Sequence, residues 1–352
     1  MTRRYGVAVI GAGYWGPNLA RNFRAHPAWD LVAVCDRDES RAHAVVGERS
    51  TVDVETSVEA VLARADVDAV AIATPAATHA SIALAALDAG KHVLVEKPLA
   101  PGSADASKMV RTASDAGLTL MIDHTYCYTP AVQYIHDVIA KGMLGRILYI
   151  ESTRINLGLI QPDVDVLWDL APHDLSVLDY ILPGGLAPTR VSATESDPLG
   201  SGKSCVSHLT VEIGDGASAH ISVNWLSPTK IRQMVIGGSH RTLVWDDLDP
   251  IRRVSLHDRG VTMGQPSQDD RRRAAVSYRL GDITVPALAE TEALRLMVGE
   301  FAAAIREDRP ARTDGAAGLR VLSVLEAASH SAAHHGEAVR PRHVDSETGD
   351  ME

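Results

Sequence analysis

A glycine-spaced turn near the N-terminus constrains this chain more than any other stretch. Tyr5 to Ile10 is an apolar, strand-forming run that feeds directly into Gly11-Ala12-Gly13-Tyr14-Trp15-Gly16. Pro17 follows, a residue suited to a first helical turn because its missing N–H has no partner there anyway. Strand, G-x-G-x-x-G and helix in that order make the first turn of a βαβ dinucleotide-binding unit. Gly11 permits the tight turn, Gly13 lets a pyrophosphate approach the backbone, and Gly16 lets helix and strand pack closely. Ala12, Tyr14 and Trp15 belong to the same cofactor turn. The next strand, from Leu31, ends in Asp36, 20 residues after Gly16. An acid there accepts hydrogen bonds from an adenosine ribose and repels a 2′-phosphate, which favours NAD over NADP. Arg37, directly after it, softens that preference.

The alternation continues. A helix over 57–65 leads to a buried strand over 67–74, stopped by Pro75. A helix through 82–87 is closed by Gly90, and the strand Val93-Leu94-Val95-Glu96 ends in Lys97-Pro98. A helix over 101–116 and a sixth strand over 118–122 follow. Strands alternating with helices predict right-handed βαβ units and a doubly wound parallel sheet. Lys97, at the end of what reads as the fifth strand, then points into the crevice where such sheets hold ligands. Thr74, Pro75 and His79 fall in the neighbouring loop and are assigned to the cofactor site; a structural role for His79 is the competing reading.

Bulk properties narrow the class. With Lys+Arg 34 against Asp+Glu 45, the formal charge is −11, which argues against a nucleic-acid partner. The three cysteines form neither a disulfide framework nor a zinc spacing, consistent with a reducing cytoplasm. No secretory leader pattern and no apolar run of membrane-spanning length is evident. His330, His334 and His335 have no accompanying carboxylate or cysteine at ligand spacing, so no metal is expected.

After Tyr126 the pattern changes. A helix over 130–141 precedes strands over 147–154, 190–196, 205–213, 217–225, 234–238 and 242–246. Short polar turns and alternating apolar residues predict a largely antiparallel sheet with one covered face. Pro172 suggests a helix beginning there and running to Leu182, with Asp169 in the turn before it. A late helix, about 316–334, carries Leu319, Leu322, Leu325 and Ala328 at helical spacing. The expected organisation is an NAD-binding domain over 1–123, an α+β domain for substrate binding and oligomerisation over 124–339, and a polar tail over 340–352. The charged runs Asp246-Asp247 and 269–273 read as exposed loop.

Gly11–Gly16, Thr74-Pro75, Glu96-Lys97-Pro98 and Asp169-Leu170-Ala171-Pro172-His173 together resemble the Gfo/Idh/MocA family of sugar and inositol oxidoreductases. The resemblance covers nearly the whole chain. It implies that Lys97 is the catalytic lysine, that Asp169 and His173 are the substrate-side acid and histidine opposite it, and that the bond to Pro98 is often cis. It further implies that the C-terminal helix packs back on the cofactor domain. An open sheet face would join copies into a homo-oligomer, a dimer or a tetramer. Ala171, where many members carry glycine, and Pro172 are departures.

Other candidates follow from position. His124, Tyr126 and Tyr128 come after the sixth strand, at its ligand edge. Arg154 and Asn156 precede a loop over 157–166, and Asn156 is the better candidate for a sugar hydroxyl. Lys230 and Arg232 alternate on one strand face and suit a diphosphate, or form a solvated face. Glu96 is expected to buttress Lys97. Either His173 or Lys97 serves as the base for an alcohol oxidation, with NAD as hydride acceptor. The stretches 165–182 and 225–232 resemble a branch acting on nucleotide sugars and antibiotic sugars. That implies oxidation of a ring C3 hydroxyl, on a substrate such as UDP-glucose, ahead of a transamination. An aminoglycoside 3″-dehydrogenase, an inositol or free-sugar dehydrogenase, an NAD-dependent glycosidase and a non-catalytic dinucleotide-binding regulator are the alternatives. Retained Lys97 and His173 argue against the last.

Overall fold

The computed structural model describes residues 3–48, 50–158, 160–161, 164–263 and 276–342. The chain forms two compact units: one of Met1–Thr129, Glu290–Glu326 and Arg342–Glu352, the other of Pro130–Ala289 and Ala327–Pro341. Where the sequence reading kept 124–339 together, residues 290–326 therefore fall with the first unit.

The first unit alternates β1 (Tyr5–Ile10), α1 (Gly16–Ala25), β2 (Trp29–Cys35), α2 (Glu39–Val46), β3 (Asp53–Glu55), α3 (Val58–Leu62), β4 (Ala69–Ile72), α4 (His79–Asp88), β5 (His92–Glu96), α5 (Ser103–Asp115) and β6 (Leu120–Asp123). The strands pair in parallel in the order β3-β2-β1-β4-β5-β6. Consecutive residues of β1 and all four of β4 are buried, as a sheet covered on both faces requires. The order reverses direction at β1 and β4, which opens a crevice outside their carboxyl ends.

Helix α8 (Ala293–Glu307) is not among the elements expected from the sequence, although Leu294, Met297, Val298 and Phe301 recur at helical spacing. This helix completes the first unit's core. Trp29 donates its indole N–H to the Val298 carbonyl at 2.7 Å and stacks on Phe301 at 5.2 Å between centroids. The segment after it returns to the sheet, where Ile122 N–H meets the Thr313 carbonyl at 2.8 Å. In α9 (Gly315–Ala333), a Cβ on Gly318 would stand 2.9 Å from Leu99 Cδ2, so that residue's smallness permits close packing on this unit. Residues through Glu326 belong to the first unit and the last turns to the second.

The second unit holds α6 (Pro130–Ala140), β7 (Ile147–Leu157), α7 (Val166–Ile181), β8 (Arg190–Ser196), β9 (Val206–Gly214), β10 (Ala217–Asn224), β11 (Leu226–Gly238), β12 (Thr242–Asp246), β13 (Val254–Met263) and β14 (Val276–Thr284). Its eight strands run β14-β13-β12-β11-β7-β10-β9-β8. All neighbours are antiparallel except β7 and β10, whose connection crosses through α7. β13 and β14 were not expected from the sequence. The charged run 269–273 and the tail beyond Arg342 lie outside the described residues.

The start of α7 corrects an expectation. The helix begins at Val166, and Pro172 is its seventh residue. Asp165 caps it, its carboxylate accepting the Trp168 N–H at 2.9 Å. Proline inside a helix forfeits one backbone bond at a cost of about 3 kcal/mol. Here the cap and the burial of Val166, Leu167, Ala171 and Leu175 offset it.

Candidate active site

The cofactor turn is built by the backbone. Gly11 has φ +103°, and a Cβ on it would lie 2.6 Å from the Ala73 carbonyl. A Cβ on Gly16 would fall 2.0 Å from the Gly11 oxygen, so helix and strand approach more closely than any side chain allows. Gly13 differs: a Cβ there meets nothing within 4 Å. Its missing side chain leaves open space at the N-terminus of α1, whose Trp15 cap makes no side-chain bond. A pyrophosphate fits such a cradle. Asp36 is aimed by this turn, since one of its oxygens accepts the Ala12 N–H at 2.7 Å and the other the Asp38 N–H at 2.9 Å. Each oxygen keeps a further lone pair for a ribose hydroxyl. Arg37 and Tyr14 are exposed, Tyr14 at 93%. Trp15 instead turns its indole N–H to Asp123 at 2.8 Å.

His79 does not present its nitrogens to a cofactor. Its ring is buried, with Nδ1 2.8 Å from the Pro98 carbonyl and Nε2 2.8 Å from the Thr74 carbonyl. It straps the loop after β4 to the turn after β5. Burial holds its pKa below the usual histidine value, while the two carbonyls oppose that shift. Thr74 is further tied through its hydroxyl to Thr78 at 2.8 Å.

Lys97 leaves the end of β5 half-buried, and its bond to Pro98 is cis. Its backbone N–H donates to Glu96 Oε2 at 2.8 Å. Glu96 stands opposite Asp123 in the β5–β6 register. Burial, then the charge of Asp123, drives the Glu96 carboxyl well above its ordinary range. Next along, His124 is buried with neither ring nitrogen hydrogen-bonded, and burial together with Lys97 lowers its pKa to about 3. It is therefore a neutral wall group. Tyr128 is a correction too: it is fully buried, and its hydroxyl pairs with Thr313 Oγ1 at 2.8 Å. Tyr126 remains half-buried.

In the second unit, α7 places Asp169 and His173 one turn apart on one face. Both are only partly covered on a helix that is otherwise largely buried. Trp225 Nε1 donates to Asp169 Oδ2 at 3.2 Å. Gly158 receives the Trp225 carbonyl at its N–H, and a Cβ on Gly158 would touch both Asn156 Nδ2 and Trp225 Cδ1 at 2.9 Å. Asn156, Trp225 and Asp169 thus form one cluster. Trp225 was not singled out from the sequence; its signal was a tryptophan closing a strand just before a polar loop. Arg154 is structural: Nε and Nη2 grip Asp174 at 2.8 and 3.1 Å, and Ser152 bonds the same carboxylate at 2.9 Å. This clamp fixes α7 to β7. Lys230 is exposed, in an irregular stretch between the paired Leu226 and Ile231. Arg232 already faces Asp247 at 3.8 Å. Neither joins the Asp169 cluster through a described bond.

Among the described residues no helix is long and apolar enough to cross a membrane.

Two family models match the chain: "Oxidoreductase family, NAD-binding Rossmann fold" over residues 5–124 and "GFO/IDH/MocA C-terminal domain" over 132–244. A UDP-N-acetylglucosamine 3-dehydrogenase of Acidithiobacillus ferrooxidans is 30% identical over 320 residues, covering 90% of this chain and 94% of that protein. Its solved structure superposes with a TM-score of 0.77 at 28% identity, covering 94% and 98% of the two chains. GenD2 of gentamicin A biosynthesis, solved with NAD, gives 0.78 at 27% identity, covering 97% and 98%. An inositol 2-dehydrogenase of Rhizobium meliloti is 26% identical, covering 95% of this chain and 98% of that protein.

Proposed function

The chain belongs to the Gfo/Idh/MocA family of oxidoreductases and carries its NAD-binding domain, and from that premise we propose that it oxidises the C3 hydroxyl of a nucleotide sugar to a ketone. The observation that carries the reading is the α7 pair, Asp169 and His173, one turn apart on a partly open face with Asp169 held by Trp225. An acid beside a histidine is what proton removal from an alcohol calls for. Bound NAD supplies a hydride acceptor.

The chain's own residues divide the remaining work. His173 takes the hydroxyl proton, the general-base role for which an imidazole is suited. Asp169 orients His173 or accepts a neighbouring sugar hydroxyl. Lys97 donates a hydrogen bond to the substrate oxygen and stabilises the negative charge that develops there. Asn156, packed beside Trp225, meets a ring hydroxyl. Lys230, exposed on β11, and Arg232 beside Asp247 are the cations offered to a diphosphate.

A second reading is supported by the similarity to GenD2 and by the net charge of −11: an aminoglycoside in place of the nucleotide sugar. The test is a panel of UDP- and dTDP-hexoses, aminoglycosides and inositol, each with NAD and with ketone product trapped. The nucleotide sugars should give NADH and a 3-keto product. NADH from an aminoglycoside alone selects the second reading; NAD binding with no reduction by any of them refutes both.

A further inference from the structure

His79, the first residue of α4, is 1% exposed and faces two carbonyl oxygens: Nδ1 lies 2.8 Å from that of Pro98 and Nε2 2.8 Å from that of Thr74. A carbonyl oxygen only accepts, and a neutral imidazole has one N–H and one lone pair. The neutral ring therefore bonds one of the two oxygens and turns a lone pair on the other. Only the imidazolium, with an N–H on each nitrogen, bonds both. The two oxygens belong to different loops. Thr74 follows β4, Pro98 follows Lys97 at the end of β5, and β4 and β5 are paired neighbours. One ring thus spans the loop assigned to the cofactor and the turn that carries Lys97.

Among the described residues no anion bonds the ring to hold its second proton. The titratable groups at this end of the elements packed against α4 are Glu59 on α3, Glu96 and Lys97 at the end of β5, and Asp105 and Lys108 in the first turns of α5; β4 carries none. None of them has a described bond to the ring. Its titration is set by burial, which lowers the pKa, and by the two carbonyls, which raise it. The net direction is downward, so the doubly protonated ring forms below the ordinary histidine value of 6.5. Above that range one of the two bonds is lost.

We propose that His79 is a positioning residue operated by one proton: doubly protonated, it holds the Thr74 loop and the Lys97 turn together in the arrangement that takes NAD; singly protonated, it releases one of them. The proposal rests on the reading of this crevice as the NAD site, but its first test does not. Nitrogen NMR of the full chain carrying labelled histidine, with His79 identified by its absence from His79→Gln, reads each ring nitrogen separately. Both nitrogens should carry a proton at low pH, and one should lose it as pH rises, with a midpoint below 6.5. A ring that keeps a single proton down to the pH of acid unfolding overturns the proposal, and so does one that keeps both well above 6.5. The second test reads the loops. An amide nitrogen takes the place of Nδ1 in asparagine and of Nε2 in glutamine. His79→Asn therefore keeps the bond to Pro98, His79→Gln keeps the bond to Thr74, and neither side chain titrates. In the wild type, NAD affinity by fluorescence titration should rise about three- to tenfold as pH falls through the ring's midpoint, the size of one regained hydrogen bond. By reciprocity, NAD should raise that midpoint by about half to one pH unit. Both variants should bind NAD at the weaker level, with no step at that pH. A merely packed histidine would weaken binding on substitution without moving the pH profile. A step retained in both variants, or a ring that titrates while NAD affinity stays level, overturns the proposal and leaves the cofactor site standing. No NAD binding at any pH overturns the site reading and the proposal with it.

Discussion

The sheet edge around Lys97 and the α7 face around Asp169 are held by different means. At the first, the glycine turn and the His79 strap fix the main chain, and side chains follow from register. At the second, one helix is placed by long-range side-chain bonds: Arg154 and Ser152 to Asp174 from β7, and Trp225 to Asp169 from the end of β10. A backbone-defined edge tolerates loss of a side chain without losing its shape. A helix face aimed by side chains does not, so substitutions at the two places should differ in kind.

The largest effect is expected at the first. Lys97→Ala should lower kcat by about two to four orders of magnitude, with NAD affinity by fluorescence titration little changed. Near-normal turnover would remove the lysine from the chemistry. The second region should respond more gently. Trp225→Phe deletes the N–H on Asp169 and also shrinks a fully buried side chain, so kcat should fall about five- to tenfold and the thermal midpoint should fall with it. An effect confined to stability would make Trp225 a packing residue only.

His124 sharpens the contrast through pH. Its folded pKa is depressed to about 3 from 6.5, so the unfolded chain binds a proton the folded chain refuses. Its stabilising effect is therefore present above 6.5 and is lost as pH falls toward 3. Between about pH 7 and about pH 5 the loss should be about 2 kcal/mol in urea unfolding, and His124→Leu should flatten it. Glu96 runs the other way: its folded pKa is raised, so its stability contribution is lost as pH rises. The smallest effect is at the ribose: Asp36→Ala should weaken NAD a few-fold and narrow the preference over NADP. Unchanged selectivity would place Asp36 away from the ribose.

Much of the first unit was legible in the sequence because its signals are local. Gly11, Asp36 and Lys97 each follow a strand end, and Gly16 opens the next helix, so the signal can be read within a few residues. The parts that were not legible depend on distant partners. Nothing near Trp15 says that its indole turns to Asp123, and nothing near His79 says that it bonds two carbonyls of different loops. The α7 start was misread because Pro172 is a local stop signal, overruled by the Asp165 cap and by burial of the first turn. Helix α8 is not among the elements expected from the sequence, although its apolar spacing is present; the return of the late helix to the first unit is implied by the family resemblance, that of the segment before it is not.

The central claim is oxidation at C3 of a sugar with NAD as acceptor. Its most direct measurement uses a UDP-hexose carrying deuterium at C3 and follows the label by mass spectrometry. The account predicts one deuterium on the reduced nicotinamide, a 3-keto sugar without it, and slower turnover than with unlabelled substrate. Reduced nicotinamide free of deuterium, or no reduction at all while NAD remains bound, would contradict it.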